Sequence, residues 1–204
     1  MLRQADYNDI DSIVDIHLAT LSDGLLAKLG KPFLKKVFYP FCFQSSDVLL
    51  MVYELQNKIT SFVIYTNNST LFTHRLLQKK VAIGIAVLKN ILFNPSLLVD
   101  ILVVLKGFRV QLHHGYEDIL KNNQAELYLI GTEPAFQGQG IGSILVSQGL
   151  KEFSKKLNVS TCLVKTSSFK ANQFYLANQF TAIGTEYRGK QCFQILCKQT
   201  ETIE

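Results

Sequence analysis

One stretch, Ala125 to Leu157, constrains the fold of this chain more than any other. It begins with a short apolar run of strand length, Glu126 to Ile130, and continues through Pro134 into a glycine-rich loop, Gln137 to Gly142. The residues after the loop place apolar side chains at helical spacing. Strand, glycine loop and helix in this order form an anion site, because glycines allow a tight turn and the first N–H groups of a helix lack partners within it. The stretch therefore predicts a phosphate-binding loop.

Two familiar phosphate loops fit this stretch only in part. A Walker loop carries Lys-Ser or Lys-Thr directly after its last glycine, whereas Gly142 is followed by Ser143 and Ile144. A dinucleotide fingerprint has the spacing G-x-G-x-x-G, whereas Gly138, Gly140 and Gly142 are each two residues apart. A P-loop nucleotide enzyme is therefore disfavoured by the missing lysine, and binding of ATP would revive it.

The loop does match the pattern Q/R-x-x-G-x-G/A, and through this pattern the chain resembles the GNAT N-acetyltransferases. Gln137, Gly140 and Gly142 occupy the three fixed positions of that family's acetyl-CoA pyrophosphate loop. The preceding run, Ile130 to Pro134, resembles the strand end and the proline that lead into the loop in the family.

The remaining elements follow the order that is usual in this family. The sequence predicts the following strands, helices and hairpins outside the central stretch: a strand at Leu2 to Ala5, two helices up to Val37, a hairpin of Val48 to Leu55 with Ile59 to Tyr65, a strand at Val159 to Lys165, a helix at Phe169 to Asn178, and a hairpin of Phe180 to Tyr187 with Gln191 to Lys198. The resemblance implies an α/β (α+β) GNAT fold, in which a mixed, mostly antiparallel sheet has helices on both faces. The length of 204 residues and the lack of any Ser/Gly/Pro-rich linker predict a single domain over residues 1–204.

Residues 67–124 depart from the family, most of whose members have only a short turn there. Val81 to Leu88 and Leu97 to Leu105 are strongly apolar, and Asn90, Asn94 and Pro95 separate them. Each run is shorter than the roughly twenty apolar residues that a membrane-spanning helix needs. The pair predicts a helical hairpin packed on the sheet, while a lid, a homodimer surface and peripheral contact with a membrane remain alternatives.

Composition excludes some classes of partner. The formal net charge is +5, and the lysines are scattered or doubled, so no long basic block indicates a nucleic-acid partner. A modest positive field favours an anionic cofactor or substrate. The four cysteines form no CxxC motif, which argues against a metal site. The N-terminal residues have no apolar signal-peptide core, and we expect a reducing, cytoplasmic location.

The resemblance implies acetyl-CoA as cosubstrate and a set of residues that bind it. Backbone N–H groups at Ile130 and Thr132 would bond pantetheine and polarise the thioester. The pyrophosphate would lie on the loop and the first turn of the helix, at Gln137, Gly138, Gln139, Gly140, Ile141, Gly142 and Ser143. Ser168 and Asn172, near the start of the next helix, are the remaining cofactor contacts that the resemblance implies.

Acetyl transfer to an amine requires that the amine lose a proton and that the CoA thiolate gain one. Tyr175 matches the tyrosine that the family often uses as the acid, in the pattern A-x-x-F-Y-x-x-x-G-F, in which Gln179 stands where glycine is usual. Glu126, six residues before Thr132, matches a glutamate that some members use as the base. The alternatives are a packed helix tyrosine and a solvated strand-end glutamate.

The acceptor is the least determined part of the site. An amine of a small metabolite leads, with a nucleotide-linked amino sugar as one candidate by analogy. A peptide or protein amine and a non-catalytic acyl-CoA sensor are the alternatives. We expect Val81 to Leu105 to form a wall of the acceptor site, with Arg75, Arg109 and His113 at its ends to meet an anionic acceptor. The alternative is that the insert only enlarges the core or a dimer interface.

Overall fold

The apolar runs of the sequence become the strands of one sheet in the computed structural model, which describes residues 1–91, 94–106, 109–116, 119, 124–157 and 159–200. The strands, in chain order, are β1 (Leu2–Gln4), β2 (Val48–Leu55), β3 (Lys58–Thr66), β4 (Arg109–Leu112), β5 (Gln124–Thr132), β6 (Thr161–Thr166), β7 (Thr181–Arg188) and β8 (Gln191–Gln199). The hairpin of β2 and β3 turns at Gln56 and Asn57, whose φ angles of 51° and 61° are those of a tight hairpin turn.

Helices cover the sheet between these strands. They are α1 (Ile10–Thr20), α2 (Leu25–Lys28), α3 (Lys31–Phe33), α4 (Tyr39–Gln44), α5 (Ser69–Leu77), α6 (Lys80–Asn90), α7 (Ser96–Lys106), α8 (Ile141–Leu157) and α9 (Phe169–Ala177). A wider, π-type turn at Leu34–Phe38 joins α3 to α4, and short 3₁₀ turns lie at Tyr7–Asp9 and Pro134–Phe136.

The strand order across the sheet is β1-β2-β3-β5-β6-β8-β7-β4. Neighbouring strands are antiparallel except β5 and β6, which run parallel. The fold class predicted from the sequence, a mixed and mostly antiparallel sheet with helices on both faces, is confirmed. The single domain with an insert over residues 67–124 stays a prediction.

Two cores lie on opposite faces of the sheet. On one face, α1 to α4 pack on side chains such as Phe62 and Ile64, which are fully buried. On the other face, α8 packs on Val63 and Tyr65 of the same strand. Gly149 is needed in α8, because a Cβ there would lie 2.9 Å from the Tyr65 ring. Alternation of side chains along β3 thus divides the molecule into two layers of helices.

The segment between β3 and β5 lies on the α1 face and then crosses the sheet. Phe72 of α5, Ala86 of α6 and Leu97 of α7 are buried in the core of that face. The helical hairpin expected within Val81 to Leu105 corresponds to α6 and α7. The sequence pattern predicted neither α5 nor β4, and β4 adds a further strand beside β7 at the far edge of the sheet.

His17 on α1 is a packed side chain. The His17 ring is buried, and its Nδ1 atom lies 2.7 Å from the Tyr39 hydroxyl oxygen. The ring also stacks on that of Phe62, with ring centres 6.1 Å apart. Burial lowers the pKa of His17 to about 4, so the ring is neutral at physiological pH.

Two kinds of feature are absent from the part of the chain that the structure describes. No group of three His, Cys, Asp or Glu side chains gathers there to hold a metal ion. No described helix has both the length and the apolar character needed to cross a bilayer.

Gln179 follows the C-terminus of α9 with a φ angle of 67°, at the position where the GNAT pattern has glycine. A non-glycine residue in this left-handed region costs about 1–2 kcal/mol. Glycine would remove this strain, but its more flexible unfolded state offsets part of the gain. We therefore expect Gln179→Gly to raise the free energy of unfolding by a net ~0.5–1 kcal/mol, measured by urea unfolding.

Gln173→Gly is the matched control for this prediction. Gln173 is exposed within the same helix, where glycine should destabilise by about 1 kcal/mol. An equal loss of unfolding free energy in both variants would show that the backbone at Gln179 is unstrained.

Candidate active site

The central feature of the site is a gap between β5 and β6. Among the described residues, the two strands pair only at Gln124–Thr161, Ala125–Cys162 and Glu126–Leu163. Beyond Glu126, β5 pairs with β3 alone as far as Thr132, and β6 pairs with β8 alone as far as Thr166. One edge of each strand is therefore open to a ligand.

The open edge of β5 presents backbone donors. The N–H of Glu133 donates to the carbonyl of Thr60 at 2.8 Å, which fixes that amide toward β3. Because successive amides of an extended strand point to opposite edges, the N–H groups of Ile130 and Thr132 point into the gap. These are the two groups that the resemblance implies for pantetheine.

The glycine loop lies at the end of β5, at the mouth of the gap. Gly138 and Gly140 have φ angles of 79° and 78°, which require glycine-like freedom, and a Cβ at either would meet nothing within 4 Å. The Gln137 side chain donates to the Thr132 carbonyl at 3.0 Å and accepts from Lys170 of α9 at 3.2 Å. Gln137 therefore connects the loop to the end of β5, and Lys170 adds a cation that no motif of the sequence predicted.

The loop amides have the character of an anion site. The backbone N–H groups from Gly138 to Ser143, which include Gln139, Ile141 and Gly142, find no acceptor among the described residues. They precede or open α8, where the helix dipole is positive. An anion such as a pyrophosphate would satisfy these donors.

Tyr175 lies on the α8 side of the sheet. Its ring packs edge-on against Phe174 and Phe180, at centroid distances of 5.2 and 5.5 Å. Its hydroxyl has no hydrogen-bond partner in the part of the chain that the structure describes. Burial raises the pKa of Tyr175 well above its usual range, so the hydroxyl keeps its proton.

Asn172 and Ser168 of α9 differ in what their side chains do. The Asn172 Oδ1 atom is buried without a partner among the described residues, one turn before Tyr175. A buried unpaired amide oxygen is costly unless a ligand donates to it. The Ser168 hydroxyl instead caps α9 by accepting from the Ala171 N–H at 3.3 Å. Of the two, Asn172 has an acceptor free for a ligand.

Glu126 lies on the opposite face, in a cluster of polar side chains. The Ser69 hydroxyl of α5 donates to the Glu126 carboxylate, and the Lys165 ammonium lies 3.7 Å from it. Lys165 also lies 3.0 Å from Glu186, and Arg188 donates to Glu186 at 2.6 Å. Carboxylates and cations therefore alternate along the cluster, and Lys165 is shared by two carboxylates.

Glu186 is the most deeply buried member of this cluster, with only 1% of its surface exposed. Burial alone would raise the pKa of Glu186, but the charges of Lys165 and Arg188 outweigh it and hold this pKa below its usual range. Glu186 thus stays ionised and holds Lys165 beside Glu126.

Tyr128 lies on the same face as Glu126, at a bulge in β5. Ile64 pairs with Leu129 and Tyr65 with Leu127, so that Tyr128 is the extra residue. The Tyr128 hydroxyl lies 3.5 Å from that of Thr73 on α5. Helix α5 therefore covers Glu126 and Tyr128 with two hydroxyl side chains, an arrangement that no local sequence motif shows.

The structure does not bring together the three residues expected at the acceptor. Arg75 forms an ion pair with Asp47 at 2.9 Å. Arg109 lies on β4, opposite Tyr187, four strand spacings or about 19 Å from β5. His113 is exposed, and its backbone N–H donates to β7 at 2.7 Å. Their roles in acceptor binding stay a prediction.

Comparisons with known proteins agree with this geometry. The model of the acetyltransferase (GNAT) family matches residues 31–180. Among curated proteins, none matches the chain significantly in sequence.

Solved structures share the fold at low sequence identity. An acetyltransferase of the GNAT family from Desulfovibrio desulfuricans superposes with a TM-score of 0.61 at 10% identity, covering 98% of each chain. The ribosomal-protein-S18-alanine N-acetyltransferase of Escherichia coli gives 0.59 at 14% identity, covering 100% of this chain and 96% of that one. The PaiA N-acetyltransferase of Thermoplasma acidophilum, solved with coenzyme A, gives 0.58 at 12% identity, covering 98% of each.

Proposed function

Because the chain belongs to the GNAT family of acetyltransferases, we propose that it transfers the acetyl group of acetyl-CoA to a primary amine of a small metabolite. Acetyl-CoA is the cosubstrate of this family. The observation that carries the proposal is the gap between β5 and β6, which has unpaired strand amides along one edge and a glycine loop at its mouth.

The chain's own groups would hold acetyl-CoA along this gap. The loop amides from Gly138 to Ser143 would bind the pyrophosphate, and Lys170 adds positive charge beside them. The N–H groups of Ile130 and Thr132 would bind the pantetheine arm and the thioester oxygen. The buried Asn172 oxygen would accept a hydrogen bond from an amide of that arm.

Proton transfer would take place across the gap. Glu126 faces the α1 side and Tyr175 faces the α8 side. Attack of the amine on the thioester carbon forms the C–N bond and breaks the C–S bond. Glu126 would take the proton that the ammonium group must lose before attack, directly or through water, and Tyr175 would give its proton to the departing thiolate. The second proton, which the nitrogen loses as the amide forms, would restore the Tyr175 hydroxyl.

The insert supports a small acceptor. The ammonium of Lys28, the last residue of α2, lies 2.6 Å from the carboxylate of Asp100 on α7. The side chain of Val103, also on α7, lies 3.2 Å from the position that a Cβ on Gly189 would occupy, in the β7–β8 turn. Helix α7 therefore bridges the two margins of the face on which Glu126 lies. An extended peptide would need that route open, whereas a compact amine, such as an amino sugar on a nucleotide, would not. Acetylation of peptide or protein amines and a non-catalytic acyl-CoA sensor remain the alternative functions.

The first prediction concerns the loop. Gly140→Glu should abolish binding of acetyl-CoA, measured by calorimetry, because it places a carboxylate where phosphate oxygens would lie. Gly115→Glu is the matched control, since Gly115 also has a positive φ, of 90°, and open space around its Cβ position. A Gly140→Glu protein that binds as tightly as the control would exclude this loop as the pyrophosphate site.

The second prediction concerns the acid. Tyr175→Phe should slow acetyl transfer by about 100-fold or more while the affinity for acetyl-CoA changes little, since only the leaving thiolate lacks its donor. Tyr65→Phe is the control, because the Tyr65 hydroxyl donates to the Leu145 and Val146 carbonyls and should affect stability rather than rate. A Tyr175→Phe enzyme of full speed would assign Tyr175 to packing alone.

The third prediction concerns the base. Glu126→Gln should lower the transfer rate most at neutral pH, by ~100-fold, and less at high pH, where the free amine is abundant. Glu133→Gln, which removes a carboxylate bonded to Lys58 at 2.7 Å, should leave the pH profile unchanged. The base role is contradicted by a loss in Glu126→Gln that is equal at every pH.

A further inference from the structure

The outer surface of the α6–α7 hairpin is apolar. Its exposed apolar side chains are Val81, Ile85 and Leu88 on α6 and Leu98, Val99 and Leu102 on α7. Val81 and Leu88 expose 78% and 75% of their surface. The inner sides of the same helices already pack on the α1-side core through Ala86 and Leu97. The outer side chains therefore do not contribute to that core, and such a patch marks an interaction surface.

Lysines border the apolar stripe of α6 on both sides. At about 100° per residue, Val81, Ile85 and Leu88 fall within ~60° of one another around the helix axis. Lys80 and Lys89 lie roughly 70–110° to either side of that stripe, and both are exposed. This is the distribution of a helix that lies in the plane of a membrane surface, with its apolar side down and its lysines reaching toward the headgroups.

Positive charge predominates along the hairpin. Between Lys79 and Lys106 the sequence contains a single acidic residue, Asp100. Its carboxylate is paired with Lys28 at 2.6 Å. The border of the patch on α6 is therefore positive, which is complementary to anionic lipid headgroups.

We propose that the outer face of the α6–α7 hairpin docks on the surface of an anionic lipid bilayer, with both helices lying in the headgroup plane. Neither helix spans the bilayer, because eleven residues cover only about 16 Å of a hydrocarbon core that is ~30 Å thick. A second copy of the chain fits less well, because a two-fold pairing of this face would bring the lysine borders of two α6 helices toward each other. This surface is separate from the gap between β5 and β6, so the inference does not depend on the proposed function.

Vesicle sedimentation with the full chain tests the proposal, without acetyl-CoA or an acceptor amine. We expect at least tenfold tighter binding to vesicles of phosphatidylcholine with phosphatidylglycerol than to phosphatidylcholine alone. Lys80→Gln combined with Lys89→Gln should remove about tenfold of the affinity for the anionic vesicles. A double variant that binds them as tightly as the unaltered chain would overturn the role of the lysine border.

Val81→Asp and Phe169→Asp form the matched pair. Both side chains are similarly exposed, at 78% and 79%, but Phe169 lies on α9, away from the hairpin. Val81→Asp should reduce vesicle binding by at least tenfold, whereas Phe169→Asp should leave it unchanged, with circular dichroism confirming that both are folded. Equal binding by all three proteins would overturn the proposal. So would a dimer in analytical ultracentrifugation that Val81→Asp dissociates, since a second copy would then cover the patch.

Discussion

The hydrogen bonds that β5 and β6 do not make determine the rest of the site. Three residue pairs hold the strands parallel at one end, and beyond Glu126 each strand keeps a partner on its outer side only. The bulge at Tyr128 lies just where the strands part, and bulges increase local twist. Unpaired backbone amides are expensive when buried, so a sheet with such a gap is stable only if water or a ligand satisfies them. In a GNAT enzyme, acetyl-CoA is that ligand.

In the proposed mechanism, the base Glu126 and the acid Tyr175 lie on opposite faces of the sheet, in different environments. Tyr175 packs against the aromatic rings of Phe174 and Phe180, and burial raises its pKa, so its hydroxyl keeps its proton. Glu126 is surrounded by Ser69, Lys165 and, through Lys165, Glu186. Lys165 therefore places a positive charge beside the Glu126 carboxylate. The sheet between the two faces keeps these environments apart.

The sequence predicted the parts of the site that depend on local patterns. Gly138 and Gly140 need positive φ angles, and the loop, β5 and α8 are adjacent in the chain, so one stretch contains the pattern that predicts a phosphate-binding loop. The cluster around Glu126 could not be predicted from a local pattern. Its members Ser69, Lys165 and Arg188 are far apart in the sequence and come together only when the strands pair. Arg109 was expected near the acceptor because it is close in sequence to the insert helices, but β4 carries it to the far edge. The short, largely exposed β4 shows no clear strand alternation.

The position of β4 also bears on how the chain is assembled. Its residues 109–112 pair with residues 184–187, more than seventy positions later, so β4 has no partner until the C-terminal hairpin has been synthesised. Contacts this distant in sequence form late, because a long loop must close before they add stability. During translation, the helices of the insert are thus connected to a strand that has nowhere to dock. The glycine loop, β5 and α8, which come from neighbouring segments, are synthesised before the far edge of the sheet can close.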